Sequence, residues 1–343
     1  MVRVTGNFTS ESPLPEVVRA ALLAAFDQGW ADPKKISQSA GRAAILRNHA
    51  LENIAAHLGI SPVSIDVLGE PALGHFLAIA GHLRDELSFA YAAIDKGKIR
   101  AVARSHKGAV IELGVDSEGL INSAEIPRGC VLSLQLANGE TGVVQDAEKL
   151  SSLANYVCVD ATSSGSRITL PEKWDTALFD AKSWNGPAGL AILAINNPSH
   201  YRYPLPHIAP IKSPGTYSLP LLIAASVALE NFATEDLAIR TFAISELSQI
   251  QGVRIVAPHA PATAQVFSLT VSDISSEELV RKLAQQGIDA DSGSACSPAD
   301  LQPSHVLAAM GYPTDGHLQI TLHPQTTRLD IEQLAQALKS VAS

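Results

Sequence analysis

Charge is scarce in this chain. Asp, Glu, Lys and Arg make up 17% of its 343 residues, against 46% apolar residues. That balance excludes a disordered chain and leaves enough apolar material for a large buried core. Basic runs are absent, and 25 Lys and Arg against 34 Asp and Glu give a formal net charge of −9. Such a chain is a poor partner for nucleic acid bound without regard to sequence, although a small basic patch able to dock an RNA is still allowed. Cysteine is sparser still, with only Cys130, Cys158 and Cys296. An odd, sparse set is no disulfide framework, and no CxxC or Cys/His pairing offers a metal site. No apolar stretch approaches the length of a membrane span, and residues 1–15 carry Arg3 but no apolar run, so no signal peptide is expected. The expected compartment is the cytoplasm, where thiols stay reduced. Internal repeats and low-complexity tracts are missing too.

What is present has the rhythm of an α/β protein. Residues 15–28 and 41–58 read as helices, the second with Ala44, Ile45, His49, Leu51, Ile54 and Ala55 near one face and Gly59 as its stop. The stretch 64–68 reads as a strand and 73–83 as a helix behind it. Strand-like runs follow at 109–113, 131–136, 156–159, 176–179 and 191–194, nearly continuous in apolar residues as strands buried on both faces should be. A helix is expected at 146–153. Alternation of this kind predicts a mostly parallel sheet with helices on both faces. The six prolines of 198–220 mark a linker or loop. Beyond it lie an apolar helix at 219–232, a strand at 264–271, a capped helix at 276–286, a strand at 318–322 and a helix at 328–341. The expected fold class is α/β: a large doubly wound, mostly parallel sheet domain, residues 15–212, plus a smaller α+β domain formed by 1–14 and 213–343.

The strongest local signal is Asp291-Ser292-Gly293-Ser294-Ala295-Cys296-Ser297, followed by Pro303-Ser304-His305-Val306-Leu307 at the start of a helix. Gly, Ser and Ala around one Cys argue for a loop thiol rather than a packed one. A helix N-terminus or His nearby can give that thiol the thiolate character that attack requires. The competing reading is a buried, inert Cys.

The run 292–307, SGSACSPADLQPSHVL, resembles the active-site loop of the group I cysteine desulfurases, within the class V aminotransferases. The resemblance extends along almost the whole chain. It implies a fold type I, homodimeric pyridoxal-phosphate enzyme that moves sulfur from free cysteine to a loop cysteine as a persulfide, here Cys296, in sulfur transfer of the kind that feeds iron–sulfur assembly. Ala137-Asn138-Gly139-Glu140-Thr141-Gly142 resembles the family's Asn-Asn-Glu-x-Gly segment and puts Asn138 beside the cofactor. Val159-Asp160-Ala161-Thr162 resembles the strand end whose aspartate keeps the pyridine nitrogen protonated, so that the ring acts as an electron sink. On its own, Asp160 reads equally as a cap after a buried strand. Ser163 joins the cofactor-binding set. Pro214-Gly215-Thr216 resembles the segment that reaches the neighbouring subunit's phosphate, which implies a homodimer with Thr216 at its interface.

Four departures run against the cofactor. The family's Ser-x-His-Lys stands before a Gly-Pro pair. Here Phe179-Asp180-Ala181-Lys182-Ser183-Trp184-Asn185-Gly186-Pro187 puts Ser183 at the Schiff-base lysine and Asp180 at a phosphate-binding serine. Serine forms no imine, so Lys182 must move one place in register to serve; otherwise it is a solvated lysine or pairs with Asp180. The phosphate turn matches Gly69-Glu70-Pro71-Ala72, where Pro71 removes a donor. Glu70 and Asp180 would each repel a phosphate by about a kcal/mol or more at short range. The ring-stacking histidine falls near Asp95 or Lys96, and the substrate-clamping arginine matches Gln319, which lacks the charged fork.

Three readings follow. One is a desulfurase-like protein degenerate in pyridoxal-phosphate chemistry, with Cys296 as a persulfide carrier serving a sulfur-acceptor or scaffold protein. Another is an active desulfurase using Lys182. The third is an altered ligand-binding protein on the same fold, with Glu70 and Asp180 suiting a cationic ligand.

Overall fold

The computed structural model describes residues 6–27, 32–208, 211–212, 215–292 and 303–341. Its main sheet has seven strands: β2 (Ile65–Leu68), β3 (Phe89–Ala92), β4 (Val110–Leu113), β5 (Val131–Gln135), β6 (Tyr156–Asp160), β7 (Thr176–Asp180) and β8 (Ala191–Ile195). They lie in the order β2-β8-β7-β6-β5-β3-β4. Strand β8 runs antiparallel to both its neighbours, and the other pairings are parallel. The expected mostly parallel, doubly wound sheet is therefore present.

Side chains alternate across the pleat, and both faces are covered. Leu132, Leu134, Val157, Val159, Ala177 and Phe179 enter one apolar cluster with α2 (Gln38–Leu58) and α6 (Leu219–Glu230). Val131, Cys158 and Leu178 face the other way, toward α3 (Gly74–Ala80) and α4 (Gly97–Ser105). Helix α1 (Glu16–Asp27) lies against α6, and α5 (Ala147–Leu153) joins β5 to β6. Helix α2 is stapled at its start by the Ser37 side chain, which accepts from the Ala40 amide, and stops at Gly59, where φ is +67°.

A second, separate core holds Phe8, Ala243, Phe267, Leu283, Leu318 and Leu334. It is built from α7 (Leu237–Leu247), α8 (Ser276–Ala284) and α10 (Arg328–Val341) on an antiparallel sheet of β11 (Val253–Ile255), β12 (Val266–Val271) and β14 (His317–Thr321). Strand β1 (Asn7–Phe8) pairs in parallel with β13 (Asp289–Ala290). A small hairpin joins β9 (His207–Ile208) to β10 (Ile211–Lys212).

The division between 212 and 213 does not follow the cores. Helix α6 is apolar nearly all round and is buried in the large cluster, as are Val306 and Leu307 of α9 (His305–Ala309). We place the change of core between α6 and α7. Helix α3 is also shorter than the stretch 73–83, because Pro71–Leu73 forms a 3-10 turn of its own and Gly81 ends the helix.

Candidate functional site

Strands β5, β6 and β7 end side by side, with Gln135 opposite Asp160 and Asp160 opposite Leu178. Carboxyl ends of parallel strands are where open α/β sheets bind ligands. A cavity of about 610 Å³ opens there.

Asp160 is buried just beneath it, in contact with His75, Lys96 and Thr162, which do line it. One carboxylate oxygen, Oδ1, accepts from the Thr162 amide at 2.9 Å and from the Thr162 hydroxyl at 2.5 Å. The other, Oδ2, lies 3.0 Å from His75 Nε2 and 3.6 Å from Lys96 Nζ. Lys96 Nζ also donates to the hydroxyl of Thr162 and, at 3.0 Å, to that of Ser163. Burial by itself would raise the pKa of Asp160. The Lys96 ammonium, with the His75 ring and the Thr162 hydroxyl, overcomes it and holds the carboxyl well below the usual range. Lys96 is the cap residue of α4, and His75 sits in the first turn of α3. Sequence reasoning noted Lys96 only as a missing aromatic and did not find His75, which lies 85 residues from Asp160.

Beside Asp160, the polar groups around Asn138, which also lines the cavity, are spent on one another. Asn138 Nδ2 donates to the Ile94 carbonyl at 3.2 Å and to Gln135 Oε1 at 3.1 Å, while its Oδ1 accepts from the amides of Glu140 and Thr141. The amide that the resemblance gave to the cofactor thus holds a turn together. Gln135 donates to Asp95 Oδ1 at 2.9 Å. Burial, helped by the charge of Asp160, pushes Asp95 up to about 8.

The wall after β7 is a 3-10 turn, Ala181–Trp184, and this changes the register argument. Consecutive side chains there differ by about a third of a turn rather than flipping faces. Lys182 and Ser183 accordingly both line the cavity, as does Asp180. Asp180 caps the turn by accepting from the Lys182 amide at 3.0 Å. Lys182 Nζ forms no ion pair among the described residues, so of the two alternatives to an imine role, solvation or pairing with Asp180, the pairing is not made. Ser183 is buried and donates to the Asp180 carbonyl at 2.6 Å. Gly165, with φ +56°, lets the backbone pass so close that a Cβ there would sit 2.5 Å from Ser183 Oγ. Arg167 donates to the Ser183 carbonyl and grips Glu235 with two hydrogen bonds of 2.8 and 2.5 Å.

Other expected positions fall elsewhere. Glu70 lies off the cavity wall, where its carboxylate caps the turn at Pro71–Leu73 by accepting from the Ala72 amide. The repulsion expected from two carboxylates reduces to that of Asp180. Thr216 is exposed, and its carbonyl lies against Gly69 of the same chain. Gln319 does line the cavity. Cys296 lies outside the described residues. The segment it belongs to leaves from Asp291, whose carbonyl accepts from Gln319 N at 2.7 Å, and returns at Ser304, which donates to Glu140. Cys130 and Cys158 are buried, and burial pushes the Cys158 thiol up to about 12, so both are structural. Among the described residues no cluster of acidic, His or Cys side chains could hold a metal, and no helix is long and apolar enough to cross a membrane.

Residues 211–334 match the family model for aminotransferase class-V. A cysteine desulfurase IscS of Dictyoglomus turgidum is 23% identical over 375 residues, covering 98% of this chain and 93% of that protein. Cysteine desulfurase 2 of Trichormus variabilis is 27% identical over 256 residues, covering 68% and 64%. The crystal structure of a NifS-like protein from Rickettsia africae has the same fold, with a TM-score of 0.83, 19% identity, and coverage of 98% of this chain and 99% of that one. Over residues 211–334 the chain is thus similar to the class V aminotransferases, and along nearly its whole length to cysteine desulfurases.

Relatives in that family use pyridoxal phosphate, and the residues present here can be tested against it. They do not fit the group as the family holds it. The carboxylate that the resemblance gives to the pyridine nitrogen already carries Lys96, Ser183 stands at the position that the resemblance gives to the Schiff-base lysine, and Asp180, at the position of a phosphate-binding serine, lines the cavity.

Proposed function

We propose that this chain is a cysteine desulfurase-like protein that has lost imine chemistry, and that Cys296 carries a persulfide received from a donor. The observation that supports this most is the ammonium of Lys96 beside Asp160. At 3.6 Å the pair attracts by about 5 kcal/mol at an effective dielectric of about 20, less what the partial exposure of Lys96 screens away. A pyridinium would have to displace it. In the transfer step the Cys296 thiolate attacks the outer sulfur of a donor persulfide. A new S–S bond forms, the donor's S–S bond breaks, and the donor leaves as a thiolate, so no outside oxidant or reductant is needed. The chain works as a cytoplasmic homodimer that hands sulfur to an acceptor or scaffold protein. The exposed apolar side chains Val17, Leu23, Phe26, Ile45 and Leu46 of α1 and α2 support such an interface.

Loading with a low-molecular-weight persulfide followed by intact-mass measurement tests the carrier role. One added sulfur is expected, and it is absent in Cys296→Ser. Equal loading of the two proteins would overturn the assignment.

A second reading, an active desulfurase using Lys182, has one observation in its favour: Lys182 lines the same cavity as Ser183. Sulfide release from cysteine that is lost in Lys182→Ala and in Cys296→Ser would establish it.

A further inference from the structure

We propose that the cavity above Asp160 receives a small anion, a carboxylate or phosphate headgroup, at the open N-terminus of α4 between Lys96 and Lys98. This deepens the functional reading above and rests on its premise that the vitamin does not hold the pocket. Helix α4 has nine residues, and no side chain caps its start. The first-turn amides of Gly97 and Lys98 therefore carry the positive end of the helix dipole toward the cavity they line. The approach is open, because a Cβ built on Gly97 would meet no atom within 4 Å.

Charge on the wall agrees. Lys96, Lys98 and Lys182 line the cavity against one lining carboxylate, Asp180, whose Oδ1 already accepts from the Lys182 amide; the buried Asp160 beneath offsets Lys96 and leaves Lys98 and Lys182 as the surplus cations. A cationic ligand, which Glu70 and Asp180 together would have favoured, therefore meets the wrong field: Glu70 is off the wall and three lysines are on it.

Two further groups call for a ligand independently of the helix. Thr321 is 3% exposed, and its hydroxyl has no hydrogen-bond partner. His75 is 6% exposed; its Nε2 donates to Asp160, and its Nδ1 has no partner. Both residues line this cavity. Unmet polar groups at such burial are costly, and a polar ligand recovers that cost. A volume of about 610 Å³ suits a small metabolite.

Calorimetric titration of the full chain with inorganic phosphate, and separately with malonate, at fixed ionic strength tests the site. One saturable site per chain is expected for at least one probe, and the tighter probe tells a phosphate ester from a carboxylic acid. Lys98→Ala, at an exposed position, should weaken that probe about tenfold, the effect of one charge-assisted hydrogen bond. Thr321→Val should weaken it as well. Absence of saturable binding by both probes, or an unchanged affinity in Lys98→Ala, would overturn the proposal. A Lys182-dependent imine absorbance on adding pyridoxal phosphate would instead remove the premise of lost imine chemistry, and the Lys98 comparison would still decide the anion site on its own.

Discussion

Lys96 and Asp160 form an ion pair, Nζ to Oδ2 3.6 Å, that joins the start of α4 to the carboxyl end of β6. The chain's own ammonium thus sits against the carboxylate that the family resemblance assigns to the cofactor ring. Because Asp160 titrates below its unfolded value, its contribution to stability is present above about pH 4 and is lost as pH falls through the depressed folded value. Lys96→Met leaves the His75 ring and the Thr162 hydroxyl as the remaining side-chain partners. The expected cost is about 1–3 kcal/mol in urea denaturation at neutral pH, below that of a fully buried pair because Lys96 is 38% exposed. The acid transition should move to higher pH.

The pair Arg167–Glu235 is a firmer staple, with side chains only 5% and 3% exposed. Arg167 also covers the Phe232 ring at 4.7 Å and holds the Ser183 carbonyl. Arg167→Leu strands a buried carboxylate and should cost about 3–5 kcal/mol. Arg167→Lys keeps the charge but not the fork and should recover only part of that in a urea melt.

His82 is 1% exposed, stacks on Tyr156 at 5.1 Å, and has no hydrogen bond to either ring nitrogen. Burial lowers its pKa from 6.5 to about 4. The unfolded chain then binds the extra proton between those values, so stability falls as pH drops from 6.5 to 4 and is unaffected above. The penalty amounts to about 3 kcal/mol. His82→Phe should flatten that slope in denaturation followed across pH.

Glu140 has the opposite sign. Its carboxylate accepts from Ser304, the cap of α9, and burial raises its pKa from 4.5 to about 6. Here the folded chain holds the extra proton, so stability declines as pH rises from 4.5 to 6, by about 2 kcal/mol. Glu140→Gln keeps an acceptor for Ser304 and should abolish the decline.

Strands buried on both faces, such as Val131–Gln135 and Ala191–Ile195, were legible as unbroken apolar runs. Strand β3 was not, because Phe89–Ala92 is four residues long, half of them Ala, and follows Arg84, Asp85 and Glu86. With β3 went α4, whose Lys96, Lys98 and Arg100 blur its apolar face, and so the residue that pairs with Asp160 was not found. Helix α7 went unread too, its Leu, Ile and Phe lying on several faces. Asp160, Asn138, Ser163, Lys182 and Ser183 were legible as motif positions. What they touch was not, because side chains 85 residues apart meet only once the sheet order is known. The packing of α3 against β7 is what brings His75 to Asp160.

Visible absorbance of four proteins mixed with pyridoxal phosphate tests the central claim most directly: wild type, Ser183→Lys, Lys96→His, and the double variant. If Lys96 occupies Asp160 and Ser183 removes the imine nitrogen, the double variant alone should show a borohydride-sensitive imine band. A band in the wild type that disappears in Lys182→Ala would contradict the account.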